Sequence, residues 1–589
     1  MRSIKKVTML ILAGVMAFST VACGGGGSEN NGGKTVVRLD AYESGYGVQW
    51  IRDSEVEFEK RFAEHSFEEG KKGVDLKLNI TKSMDIDGMT SSGTDIYMMG
   101  YNNYPYMLAR KRYIADLSDI VNEKYDDRNG TQVSIADKIK DEFLPALKGT
   151  DDHIYGLPLN EGIGGGLSYD KELFDKNNFY IADPVSNGTN TADDLEAYSD
   201  FGLSTNFIAH KNAKKSCGAD GKYGTYDDGL PTALTELLLL CSKIKDTNSA
   251  WSPLTIGGTV NGYIKNLISA LAMSMGGYEE SRALYDFEGD VTYVTGYSNE
   301  NIYETINWLK KPTVETVAID GKTAYLATQT EARYYATAFV DIAVNKGWFS
   351  ADSNSNTTTH TDTQGNFICG GLTNSLPVSA MIIEGSYWWT EATEANKFEY
   401  YKTLSGGKDR EERDIRWMAL PVTIDEPIFT EADKKVATLV STSTTEYVVV
   451  NRKTENKPGT FAAVKEYLKM IYSDEGMNKH TASTGCRRLG MEYEFNQATI
   501  DNMSKFYKSI FELQSSDMVK TVYATSNKTT VLSNFIELTG YFSRPAITVG
   551  TNVIQYANAL NALREGRTAK EIFEATLFDE ADWNAIYIG

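Results

Sequence analysis

Between His153 and Phe174 the sequence reads HIYGLPLNEGIGGGLSYDKELF, and this stretch limits the possible folds more than any other. His153 to Pro158 has strand composition, but a proline cannot donate to a ladder, so pairing has to stop at Pro158. Glycines follow at Gly162, Gly164, Gly165 and Gly166; in strand-like sequence they mark bends, bulges or points where another group comes close to the main chain. Asp170 then stands as the N-cap of a helix that opens Lys171-Glu172-Leu173-Phe174. The stretch reads either as a glycine-softened core strand or as a passage from one folded unit into another.

The flanking sequence predicts α/β layers. Thr35 to Asp40 alternates like a strand, Gln49 to Ala63 has helical spacing, and Val74 to Ile80 alternates again, which is the opening of a parallel sheet. Thr94 to Met99 is a further apolar run that empties into Gly100-Tyr101-Asn102-Asn103-Tyr104-Pro105, and in α/β sheets ligands sit beyond such carboxyl ends. Helices are expected over Ala233–Ile244, Gly262–Met275, Asn301–Leu309, Tyr325–Gly347, Phe461–Ile471, Val553–Arg564 and Ala569–Thr576, with Asn301–Leu309 and Tyr325–Gly347 amphipathic and facing outward. Strands are expected near Pro253–Ile256, Ser379–Glu384, Trp417–Val422 and Glu446–Asn451, with a polar loop over Ala351–Asn366.

Residues 1–22 have a basic start (Arg2, Lys5, Lys6) and an apolar run too short to span a bilayer comfortably, the pattern of a secretory signal. Thr20-Val21-Ala22-Cys23 resembles the lipobox of bacterial lipoproteins, which implies cleavage before Cys23 and acylation of its thiol. Residues 23–33, rich in Gly, Ser and Asn, then form a flexible tether. The formal charge of −21 disfavours nucleic acid and anionic ligands, leaving neutral or cationic ones. Cys217, Cys241, Cys369 and Cys486 are widely spaced without a C-x-x-C pair and are expected to be mostly buried thiols.

Several pieces in order carry a resemblance. They are Gly93-Thr94-Asp95-Ile96; Ile154 to Pro158 with Ser168 to Phe174; Ser379 to Ser386 followed by aromatics; Met418 to Pro421; and Gly566 to Glu571. Together they resemble the extracellular solute-binding proteins of bacterial ABC importers, in the maltose-binding-protein-like family. That resemblance implies two α/β lobes with a hinge, one of residues 34–165 plus 432–490 and the other of 166–431 plus 491–589. It also implies a carbohydrate ligand in the cleft between them, a permease in the membrane as partner, no cofactor, a monomer, and a place on the outer face of the cell membrane or in the periplasm. Asn177–Lys222 and Ala351–Asn366 look like insertions on that pattern.

A sugar presents C–H faces rimmed by hydroxyls, so its site needs flat rings beside carboxylates and amides. With 35 Tyr and 8 Trp the chain has rings to spare. Tyr387, Trp388 and Trp389, directly after Glu384-Gly385-Ser386, are the expected platform, with Asn102, Asn103 and Glu161 as polar contacts. Further candidates are Tyr42, Glu43 and Tyr46 after the first strand, and Trp251 and Tyr263 in the middle of the chain; Arg487 and Arg488 stand either in the cleft or on the surface. Asp220, Asp227 and Asp228 lie among glycines in what reads as an acidic turn, with a calcium loop as the alternative; they do not fit EF-hand spacing. There is no G-x-S-x-G, H-E-x-x-H or P-loop, and Leu167 occupies the third position of a G-x-G-x-x-G. Binding without chemistry is therefore expected, against an exported glycoside hydrolase or a peptide-binding lipoprotein as alternatives.

Overall fold

The structure is a computed structural model that describes residues 33–589 except 83–86, 101–110, 129–130, 150, 442–445, 524–546, 550–551, 555–557 and 587–589. Cys23, Asn102 and Asn103 lie outside the described residues. Alternation in the first strand, Thr35–Tyr42, places every second side chain inward, and it pairs in parallel with Val74–Thr81 on one side and Ile96–Met99 on the other. Tyr447–Val450 adds antiparallel to Ile96–Met99, and the short Leu157–Pro158 strand closes the edge, where the proline is tolerated. Helices Gln49–Arg61 and Pro458–Ile471 cover this sheet, and Leu39, Ile96, Val448, Phe58, Val464 and Leu468 belong to one apolar core.

A second, four-stranded sheet runs in the order Ser252–Thr255, Ser379–Glu384, Gly166–Asp170, Ile415–Trp417. Its core is separate, built around Leu167, Leu237, Leu271, Phe339, Ile382 and Trp388. The chain is thus two α/β lobes, each with its own interior. Core membership changes between Leu159 and Ile163, between Leu439 and Tyr447, and between Tyr493 and Met503, while Tyr523 returns to the first core. Two-stranded ladders mark these passages: Asn160–Glu161 with Arg487–Arg488, and Ala437–Ser441 in parallel with Val519–Tyr523.

The glycines of the opening stretch act through close approach, since none of them has a positive φ. A methyl on Gly162 would lie 1.4 Å from the Tyr46 hydroxyl oxygen, and one on Gly165 would lie 2.8 Å from the backbone carbonyl carbon of Asn266. Asp170 caps the helix Lys171–Asn177 by accepting from the Leu173 amide at 3.0 Å, and its carboxylate also receives both terminal nitrogens of buried Arg413 at 2.9 and 2.6 Å.

Three expectations are corrected. Asn301–Leu309 is no helix but the connection in a long hairpin, Gly289–Asn301 against Lys310–Ile319, whose Val, Thr and Tyr residues favour extended backbone. The following helix, Glu331–Asn345, packs between others with every residue from Ala332 to Ala343 buried, so it does not face outward. The polar stretch 351–366 contains the start of a helix, His360–Ile368, because Thr359 and Asp362 form a capping box. Among the described residues no helix is long and apolar enough to cross a membrane. Cys217, Cys241, Cys369 and Cys486 are free, buried thiols.

Candidate functional site

Where the lobes meet, three short elements converge. Strand Ser379–Glu384 delivers Glu384 at its carboxyl end, and Ser386 then pins the chain to the first passage: its amide donates to the Ile163 carbonyl at 2.9 Å, and its hydroxyl accepts from the Ile163 amide at 2.9 Å. Tyr387 follows as the N-cap of the helix Trp388–Glu394 and points back to the first lobe. There its ring meets that of Tyr46 edge to face, 5.7 Å between centroids at 86°. Tyr46 comes from the loop after the first strand, and its hydroxyl end rests over Gly162.

Glu384 is 2% exposed and Gln364 is fully buried. The Gln364 amide nitrogen donates to Glu384 Oε1 at 3.4 Å and to Glu391 Oε2 at 3.1 Å. Glu384 Oε2 and Gln364 Oε1 have no hydrogen-bond partner among the described residues. His360, one turn before Gln364, brings Nε2 to 4.0 Å from Glu391 Oε2. Burial pushes the Glu384 carboxyl well above its ordinary range and the neighbouring Glu391 adds to this; burial raises Glu391 as well. The Tyr387 hydroxyl is pushed far up by burial and then by Tyr263, Glu384, Glu391 and Tyr46, which also places Tyr263 at this cluster.

The structure therefore brings together Tyr46, Tyr263 and Tyr387, with Glu43 beside them in the same loop as Tyr46, 3.6 Å from Lys82. Tyr42 covers the end of the third strand, where a methyl on Gly100 would press on its ring. Trp388 and Trp389 correct the expectation of a three-ring platform, for both are core. Trp388 donates its indole N–H to Ser168 Oγ at 3.0 Å, and Trp389 stacks on Phe506 at 5.0 Å and 12°. Trp251 precedes a strand whose Ser252 pairs with Ser379, the far end from Glu384, and it packs edge-on to Phe179. Glu161 serves the passage between lobes, accepting from the Gly490 amide at 3.4 Å and from Thr521 at 3.3 Å.

Arg488 is buried between Trp50 and Tyr472, and Arg487 lies over Phe495 and Phe511, so neither reaches the Glu384 cluster. Asp220, Asp227 and Asp228 turn their oxygens to their own loop: Asp227 accepts from the amides of Ala219 and Asp220, and Asp228 from those of Gly224 and Thr225. Among the described residues no group of three or more His, Cys, Asp or Glu side chains is arranged to hold a metal ion. Gln364, Glu391 and His360 were missed in the sequence. The available signal was Thr359-x-x-Asp362, which starts a helix and sets His360 and Gln364 on one face.

No family model matches the chain, and no curated protein matches it. Among solved structures, the chain is similar to a binding protein of Bacillus subtilis subsp. subtilis str. 168 in an open conformation, at 9% identity, covering 94% of this chain and 98% of that one, with a TM-score of 0.47. It is also similar to the SBP RafE in complex with raffinose, at 13% identity, 94% and 98% coverage and a TM-score of 0.46. A secreted solute-binding lipoprotein from Streptomyces coelicolor is similar at 9% identity, 94% and 98% coverage and a TM-score of 0.48.

Proposed function

We propose that this chain captures a carbohydrate, an oligosaccharide, reversibly between its two lobes and delivers it to a membrane permease, acting as the binding component of an importer and held to the outer face of the membrane by a lipid on Cys23. The observation that carries the reading is the cluster at the lobe junction. Rings from both lobes (Tyr46 against Tyr387) stand beside buried polar oxygens, Glu384 Oε2 and Gln364 Oε1, without a hydrogen-bond partner among the described residues. A buried polar atom left unpaired costs about 1–3 kcal/mol, and a ligand hydroxyl, donor and acceptor at once, would recover it at either oxygen. Separate cores joined by several passages of the chain would let the lobes part and close, and a guest touching both would favour the closed arrangement. Tyr42, Glu43 and Tyr263 would extend the contact surface, with Asn102 and Asn103 proposed as further polar contacts.

Two carboxyls sharing one amide also suit an exported glycoside hydrolase, so the test must separate binding from turnover. Calorimetry against a panel of neutral oligosaccharides, followed by chromatography of the recovered sugar, does so. Stoichiometric binding with the sugar intact is expected. Cleavage products would replace capture by hydrolysis, and no binding across the panel would remove the carbohydrate reading.

A further inference from the structure

The loop Glu43 to Val48 of the first lobe lies against the helix Trp388–Glu394 of the second, and two glycines set how near it comes. A methyl on Gly45 would fall 2.8 Å from Glu391 Oε1, and one on Gly47 would fall 2.7 Å from Glu394 Oε1. Gly47 also holds φ +76°, which disfavours any side chain there. Main chain from one lobe thus comes against two carboxylates of the other, Glu391 half-buried and Glu394 still exposed, and displaces part of the water that would otherwise solvate them.

Little counter-charge replaces that water. Glu391 faces Glu384 and Gln364 behind it, His360 at 4.0 Å, and the Tyr387 side chain. Glu394 faces Glu43 and Glu391. Lys82 is the one lysine acting on both, and its side chain is 74% exposed, 3.6 Å from Glu43. Among the described residues, four carboxylates therefore meet across the junction with one solvated lysine and one histidine.

We infer that this contact is a proton-gated latch: folding the Gly45–Gly47 loop onto the helix takes up protons at Glu391 and Glu394, so acid favours the closed arrangement and rising pH loosens it. The inference rests on the closing motion of the proposed function. Its sign follows from linkage. In the closed form burial raises Glu391, and burial and then Glu43 raise Glu394; in the open form water returns both toward ordinary carboxylate values. The closed form then binds more protons between the two, and the form that binds more protons gains as pH falls. Each unit by which a carboxyl is raised on closing multiplies the closed-to-open ratio by about ten at low pH.

Small-angle X-ray scattering of the full chain without ligand, from about pH 8 down to about pH 5, reads the latch directly. Wild type is expected to become more compact as pH falls, while Glu391→Gln with Glu394→Gln, uncharged throughout, is compact at every pH. Because Glu394 is exposed, Glu394→Gln alone is a variant that folds, and it should weaken the pH response. A wild-type profile that does not change with pH overturns the latch, as does a double variant that keeps the wild-type response. Failure of carbohydrate capture would instead appear in calorimetry, which this measurement does not use.

Discussion

Asp170 does two jobs with one carboxylate, capping a helix and receiving buried Arg413, which is 4% exposed. Without Asp170 the buried Arg413 keeps only the more exposed Glu172, at 3.2 Å, and the helix loses its cap, so Asp170→Ala should lose roughly 3–5 kcal/mol in urea unfolding. The aromatic run separates in the same way. Trp389→Ala should cost about 3–5 kcal/mol, because it empties a stacked core position. Tyr387→Ala, at the half-buried junction, should abolish carbohydrate binding in calorimetry while moving the urea midpoint far less. Sequence made the Asp170 cap legible, because an acidic residue before a helical pattern has one local meaning. It could not sort Tyr387 from Trp388 and Trp389, because only the helix starting at Trp388 decides which rings rotate inward.

Among the elements, sheets declared themselves better than helices. Alternation named Thr35–Tyr42 and Val74–Thr81 with their parallel pairing, since a period of two read on one strand already specifies a face. The Gly289–Ile319 hairpin was lost because its connection, Ile302 to Leu309, contains Ile306, Trp308 and Leu309 at helix-like spacing although they belong to a turn that packs on the second core. The His360–Ile368 helix was lost inside a Ser/Thr/Asn-rich run, where composition outvoted the capping box. Thr359→Ala should cost about 1 kcal/mol of stability. Since that helix also carries Gln364, the same change should weaken ligand affinity, which titration calorimetry of the variant would measure alongside its thermal unfolding.

At the scale of the whole molecule, pH acts through buried acids whose burial outweighs whatever opposes it, including Arg488 near Glu446. Burial lifts Asp227 to about 7, with Asp220 adding to it, and lifts Glu236 to about 6, Glu280 to about 7 and Glu446 to about 7. A folded value raised above the unfolded one gives stability that is complete below roughly pH 4 and is lost as pH rises through the folded value. Carboxylates held low, such as Asp137 and Asp362, act in the opposite sense but below the ordinary range. Thermal midpoints should therefore fall steadily from about pH 5 to about pH 8. Asp227→Asn should flatten part of that slope, and a midpoint that rises over this interval would contradict the assignment.

The repeated passage between cores has a consequence for how such a chain comes to be folded. Tyr447–Val450 occupies an interior place in the first lobe's sheet, flanked by strands made hundreds of residues earlier, so that sheet has a missing slat until most of the polypeptide exists. Neither half can be finished from one end. A polypeptide threaded N-terminus first through a membrane would thus remain unlocked for nearly all of its passage, and one later nick in a surface loop would leave both halves still stitched together.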